Sequence, residues 1–327
     1  MNSEVKLQAV RLLARGSFGL VWKMRLAEKI GGQNYGTYVA VKELKRSDTR
    51  EANDRELRIL SASSRSSTSV IELLCHFETD TNVFYCMECF GQALDTLLLD
   101  STIRKNLDIV SVFRGILSAL TRLHEIQVIH RDIKCNNIVV QNNVAKLIDF
   151  GSACECNTGT GTGNSNQEKD QKDCLNDYHA PVVGTLQYRS PEQLFASTSY
   201  DSKVDMWAAG CILAELLKST TGPLLPALTE SDLFLRQFFL LGAPTQTDIY
   251  AMGLTDENSQ SILLGLTESG NNIQNSFSRT RTRLEINLYN SDEGGYGIGL
   301  LRRLLVYSPM ERVTAEEALM TSPFFSP

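Results

Sequence analysis

His130-Arg131-Asp132-Ile133-Lys134-Cys135-Asn136-Asn137 is followed in the chain by a strand, a hairpin turn and a second strand, and then by Asp149-Phe150-Gly151. This order of groups suits transfer of a phosphoryl group, which asks a protein for positioning and charge compensation more than for covalent chemistry. Asp132 is placed to orient an attacking hydroxyl and take its proton. Lys134, close behind it, can balance charge that develops on the group in transit. Asn137 and Asp149 offer oxygen ligands of the kind that Mg²⁺, a hard ion, prefers. Polar loop residues that merely cap turns would account for any one of these positions. They account poorly for the ordered set.

Upstream, Lys42 closes the apolar alternation of TYVAVKEL, residues 37–44. A lysine beside such a strand can simply snorkel to water. Glu56 gives it a second reading, because it lies on the inward stripe Asn53, Glu56, Leu57, Leu60 of the next helix, where a carboxylate needs a partner. Further upstream, Arg15-Gly16-Ser17-Phe18-Gly19-Leu20-Val21 sits between two strand-like runs. Its glycines suit a backbone cover over phosphates, and equally an ordinary hairpin turn.

The first ninety residues read as strands with one helix. QAVRLLAR, GLVWKMRL and TYVAVKEL are separated by glycines, TREANDRELRILSAS is helical behind the capping residues Ser47 and Asp48, and IELLCHFE and VFYCMECF resume the strand pattern. From about residue 91 long helices take over. Ile109, Phe113, Ile116, Leu117, Leu120 and Leu123 have amphipathic helical spacing, and VDMWAAGCILAELL is apolar on nearly every side. Thr314 and Glu317 form a T-x-x-E capping pattern before a terminal helix. Residues 156–173 read as a flexible loop and 255–295 as a partly irregular insert.

The expected fold is therefore α+β and bilobal: a β-rich small lobe over 1–88 with one key helix, a hinge over 89–91, and a mainly helical large lobe over 92–327. A net charge of −6 provides no global field for nucleic acid. No apolar run reaches the roughly 18–20 residues of a membrane span, and the N-terminus lacks a secretory pattern. The expectation is an intracellular protein of cytoplasm or nucleus, with neither nucleic acid nor membrane as partner. The 8 cysteines then read as reduced thiols. Cys86-x-x-Cys89 matches a metal or redox spacing but lies at the end of a strand-like run, where packing explains it. Cys154 and Cys156, with Cys174 and His179, are a weak zinc candidate.

VAVK, HRDIKCNN and DFG, in this order and at these separations, resemble the signature set of the eukaryotic protein kinases over essentially the whole chain. Ser190-Pro191-Glu192 resembles that family's A-P-E closure. Asp205 looks like the anchoring aspartate of its buried helix, and Arg312 like the arginine paired with the closure glutamate. The resemblance implies ATP and Mg²⁺. By it, Lys42 holds the α- and β-phosphates, Glu56 positions Lys42, Asp132 is the catalytic base supported by Lys134, and Asn137 and Asp149 bind metal. Ala14, Gly16, Ser17, Gly19, Val21 and Ala40 surround the nucleotide, Met87 is the gatekeeper, and the backbone at Glu88 and Cys89 contacts adenine. Lys134 and Thr185 are the serine/threonine-type choices, so protein serine or threonine hydroxyls are the implied acceptors.

QYRSPEQL and YSPMERVTAEEALMTSPFF are similar to the group of cyclin-dependent and MAP kinases, with an insert at about 243–295. Thr185 and Arg189 would form the substrate platform, and Arg189 would favour proline after the acceptor. Several departures stand against this likeness. Ala14 replaces the first loop glycine, and Phe18 replaces an inhibitory tyrosine. Ala180 takes the place of an activating threonine in the segment 149–192, where Tyr178 is another phosphate acceptor. Arg55 and Arg131 remain of the phosphate cage, while its third position reads Cys154. The cyclin-reading motif is missing, which makes an activating cyclin doubtful. The rival reading is a kinase-shaped scaffold without catalysis.

Overall fold

The computed structural model describes residues 6–15, 19–27, 36–46, 50–65, 67–156, 184–194, 200–218, 220–252 and 295–326. Five antiparallel strands open the chain: β1 (Leu7–Arg15), β2 (Gly19–Leu26), β3 (Tyr38–Lys45), β4 (Leu73–Glu78) and β5 (Asn82–Glu88), in the sheet order β1-β2-β3-β5-β4. Helix α1 (Arg50–Ser64) leaves the sheet between β3 and β4. The alternation of β3 puts Val39 and Val41 on one face, in a small core with Leu26 and Cys86. Ala40 and Lys42 face the other way, next to Met87 and Tyr85 of β5.

β5 ends at Glu88, and the next strand, β6 (Gln92–Ala93), pairs with β8 (Ile138–Gln141), so the chain leaves the sheet between these residues. Beyond it lie short helices α2 (Leu94–Leu99) and α3 (Ser101–Lys105), the long α4 (Ile109–Glu125) and the short strand β7 (Val128–Ile129). Asp108 caps α4 by accepting the Ser111 N–H at 3.0 Å. The stripe Phe113, Ile116, Leu117, Leu120 and Leu123 is fully buried, worth about 1.5–3 kcal/mol per side chain before entropy is counted. Helix Lys203–Leu217 is buried from Val204 to Leu217 and forms the centre of the main core with Trp207, Ile212 and Leu213. The mixed α+β class is borne out.

One expectation is refined. Thr314 accepts the Glu317 N–H at 3.1 Å, but the Glu317 carboxylate pairs with Arg303 at 2.9 Å. A full reciprocal capping box stands instead at Thr245 and Asp248. The caps Ser47 and Asp48, the loop 157–173, Cys174, Tyr178, His179, Ala180 and most of the insert lie outside the described residues.

Candidate active site

β8 and β9 (Val144–Leu147) form the hairpin that carries the two motifs, with His130 to Asn137 before it and Asp149 after it. Within the two motifs themselves, Arg131 and Asp149 each hold a left-handed backbone at φ 64°. Such a left-handed conformation costs on the order of 1–3 kcal/mol for a non-glycine residue. Asp205 holds the first in place. Its Oδ2 accepts the His130 N–H and its Oδ1 the Arg131 N–H, each at 2.9 Å, and His124 Nε2 lies 3.0 Å from Oδ2. Burial opposes the charge on Asp205, yet these donors keep its pKa below the usual carboxylate value.

Lys42 Nζ donates to Glu56 Oε1 at 2.5 Å and to Asp149 Oδ1 at 2.7 Å. One ammonium thus joins β3, α1 and the second residue past β9. Burial works against the Lys42 charge, but the two carboxylates outweigh it and raise its pKa. Burial raises Glu56, with Lys42 offsetting only part of the effect. Burial also presses Asp149 upward, and there the neighbouring ammonium wins, holding it below its ordinary value.

Asp132 is fixed on both carboxylate oxygens. Oδ1 accepts the Thr185 N–H at 2.9 Å and its hydroxyl at 2.8 Å. Oδ2 lies 2.8 Å from Lys134 Nζ and accepts Asn137 Nδ2 at 3.0 Å. Lys134 also donates to Thr185 Oγ1 at 2.8 Å. The Asn137 amide nitrogen further donates to the Asp132 carbonyl at 2.8 Å. Its two donor bonds are therefore spent inward, and its remaining chemistry is that of an oxygen acceptor. Asn137 Oδ1 and the Asp149 carboxylate make an all-oxygen donor set, which fits Mg²⁺.

Val21 pairs directly with Lys42, and Ala40 with Met87, so Val21, Ala40, Lys42 and Met87 share one face of the sheet. Ala14 pairs with Val21 just after a register shift in β1. Gly19 starts β2 opposite Leu44, where a Cβ would lie 2.0 Å from the Glu43 carbonyl oxygen. Glycine is thus required there by strand packing alone. Gly16 and Ser17 lie outside the described residues. The Glu88 N–H donates to Glu72 O at 3.0 Å, and half-buried Cys89 follows.

Glu192 and Arg312 meet across the core. Arg312 donates to both Glu192 oxygens, at 2.7 and 3.1 Å, in a fully buried pair. Arg189 donates from Nε and Nη2 to the Gly184 carbonyl at 3.3 and 3.1 Å, and from Nη1 to Glu230 at 2.8 Å. Gly184 sits at φ 89°, with a Cβ excluded by the Arg131 carbonyl at 2.4 Å.

Sequence reading missed Glu215. It is buried on the Lys203–Leu217 helix and accepts from the Cys135 thiol at 3.2 Å and the Tyr188 hydroxyl at 3.1 Å. A carboxylate inside an otherwise apolar helix was the available signal. Lys146, which pairs with Glu88, carried none. Cys154 packs with Ile129, Tyr200 and Val204, and among the described residues no cluster of His, Cys, Asp and Glu could hold a metal ion.

With this geometry in place, the protein kinase domain model matches the chain over residues 7–325. The chain belongs to the protein kinase family. It is 31% identical, over 98% of both chains, to a cell division control protein 2 homolog 1 of Trypanosoma brucei brucei. It is 29% identical to cyclin-dependent kinase 7 of Dictyostelium discoideum, over 96% of this chain and 78% of that one. Mitogen-activated protein kinase 15 of Xenopus laevis is 28% identical, over 98% of this chain and 51% of the relative. The kinase is accordingly a protein serine/threonine kinase related to the cyclin-dependent and mitogen-activated groups, and its domain implies ATP, typically magnesium, and protein substrates. No helix among the described residues is long and apolar enough to cross a membrane.

Proposed function

We propose that this kinase transfers the γ-phosphate of Mg-ATP to serine or threonine in protein segments where proline follows the acceptor. The observation that carries the reading is the Asp132 carboxylate, clamped between Thr185, Lys134 and Asn137. Residues 1–88 form the nucleotide lobe, 89–91 the hinge and 92–327 the lobe that receives substrate. Lys42, set by Glu56, holds the α- and β-phosphates. Ala14, Gly16, Ser17, Gly19, Val21, Ala40 and Met87 enclose the nucleotide, with the backbone at Glu88 and Cys89 against adenine. Asn137 and Asp149 are the metal ligands. Magnesium bound there would offset charge on the phosphate oxygens. Asp132 orients the acceptor hydroxyl and accepts its proton, while Lys134 balances charge on the transferred group. Asp205, Glu192 and Arg312 keep these parts in position.

The proline preference rests on Arg189. Its guanidinium takes up the Gly184 carbonyl, which then offers no acceptor to a substrate N–H. Proline has no N–H to leave unsatisfied, whereas any other residue at that position buries one.

All catalytic positions hold competent side chains, and nothing favours the scaffold reading. The Lys42–Glu56 pair is closed in the single chain, and Arg58 adds a two-point bond from α1 to Glu155 at 3.0 and 2.9 Å. Both support activity without a cyclin. The test is phosphate incorporation from Mg-ATP into an arrayed Ser/Thr peptide library, with Asp149→Asn as control. Transfer to Ser-Pro and Thr-Pro peptides by the wild type alone is expected. Transfer without that preference overturns the role of Arg189, and no transfer even with added cyclins overturns the kinase reading of the site.

A further inference from the structure

β4 and β5 place two cysteines directly opposite each other. Cys75 pairs with Cys86, just past a register shift at Leu73, and the stack of Phe77 on Phe84, with centroids 4.8 Å apart, fixes the register on the same face. Opposed residues on antiparallel strands have Cα atoms about 4.5–5.5 Å apart. A disulfide needs about 4.4–6.8 Å. Cys89, the partner suggested by the C-x-x-C spacing, lies past the end of the extended strand. At about 3.3 Å per residue it is ~10 Å along the chain from Cys86, which puts it out of reach.

The two thiols are unlike. Cys86 is fully buried beside Val41 and Val39, whereas Cys75 is half-buried. Set against Cys86, the Cys75 thiol has its pKa lowered to about 7, while the same pairing and burial push Cys86 up. Thiolate character with access to solvent marks the attacking member of such a pair, and the buried neighbour is the resolving one.

We propose that Cys75 and Cys86 are a hydroperoxide-responsive thiol pair that closes reversibly into a cross-strand disulfide. The Cys75 thiolate attacks the outer peroxide oxygen. An S–O bond forms, the O–O bond breaks, and the departing alkoxide or hydroxide takes up a proton. The Cys86 sulfur then attacks the sulfenic sulfur. The S–S bond forms, and the hydroxide that leaves takes the Cys86 proton as water. Two thiols are oxidised and one peroxide is reduced. The bond forms on the sheet face opposite Lys42, so the nucleotide face keeps its geometry.

Cleavage after Glu72, Glu78 and Glu88 puts Cys75, Cys86 and Cys89 in three separate peptides. The reduced full chain is treated with hydrogen peroxide, cleaved so and mapped without reductant. One cross-link is expected, joining the Cys75 and Cys86 peptides, lighter by the two lost hydrogens and reopened by dithiothreitol. Cys75→Ser should abolish it and leave Cys86 a free thiol at the same dose. Cys86→Ser should leave a Cys75 sulfenic acid that a dimedone probe captures. A cross-link to Cys89, or a Cys75 that stays a thiol while half-buried Cys89 and Cys156 oxidise, overturns the proposal. Cys75 is half-buried, so its serine variant should fold and decides the matter if Cys86→Ser does not.

Discussion

Asp205 Oδ1 accepts the backbone N–H of Arg131 at 2.9 Å, and Arg131 holds a left-handed φ of 64°. A buried carboxylate on one helix thus stabilises a strained turn in the loop that aims Asp132. In Asp205→Asn one of the two oxygens becomes an N–H donor that faces a backbone donor. Loss of a charge-assisted bond should cost about 1.5–3 kcal/mol, read from urea midpoints. The turnover number should fall further than stability alone explains, because Asp132 loses its orientation. Unchanged turnover in the folded variant would show that the turn needs no such anchor.

Arg189→Ala frees the Gly184 carbonyl while leaving Asp132 and Lys42 untouched. Activity on Ser-Pro peptides should drop, and the ratio of Ser-Pro to Ser-Ala turnover should fall by about tenfold, equivalent to roughly 1.4 kcal/mol, the scale of one buried N–H bond. Paired peptides that differ only at that residue check it. A retained ratio would place the preference elsewhere.

Arg312 and Glu192 form a two-point pair with both side chains fully buried. Removing one charge strands the other, so Glu192→Gln should destabilise the chain by about 3–5 kcal/mol. Thermal melting of the single variant and of Glu192→Gln/Arg312→Met separates stranding from the net worth of the pair. The double variant should recover part of the loss.

Glu215 gives a pH dependence with a definite sign. Burial raises its pKa above the ordinary value of 4.5, outweighing the donors Cys135, Leu224 and Tyr188 and the charge of Lys218. The folded chain holds this proton more tightly than the unfolded one. Its stabilising contribution is full below 4.5 and is lost as pH rises through the raised folded value. Glu215→Gln should therefore flatten the loss of stability as pH rises above 4.5, seen in urea midpoints. An unaltered slope would show that Glu215 does not set it.

The motifs were legible because each is local. His130 to Asn137 and Asp149 to Gly151 sit within one strand-turn-strand unit, and their spacing alone aligns Asp132 with Asn137. Lys42 and Glu56 were legible as a pair through helical and strand periodicity, and they meet at 2.5 Å. What stayed hidden depends on long-range approach. No pattern announces that Glu215 reaches Cys135 and Tyr188, or that Arg58 meets Glu155. The Cys75–Cys86 pairing was hidden too, because cross-strand register follows from the β4 irregularity and not from the C-x-x-C spacing. The extended β1 shows a different limit: the pattern marks QAVRLLAR as a strand but says nothing of its place in the sheet, where Val10, Leu12 and Leu13 are exposed at the edge.

The most direct test of the account compares wild-type and Asp132→Asn enzyme for Mg-ATP affinity and for the rate of phosphate transfer to one Ser-Pro peptide. Asn137, Lys134 and Thr185 all surround Asp132, while Lys42 and Asp149 stand apart from it. The account predicts ATP affinity within about twofold of wild type and transfer slower by about 10²–10⁴, the usual contribution of a positioned base. Transfer at the wild-type rate would contradict the assignment of Asp132 and, with it, the reading of the site.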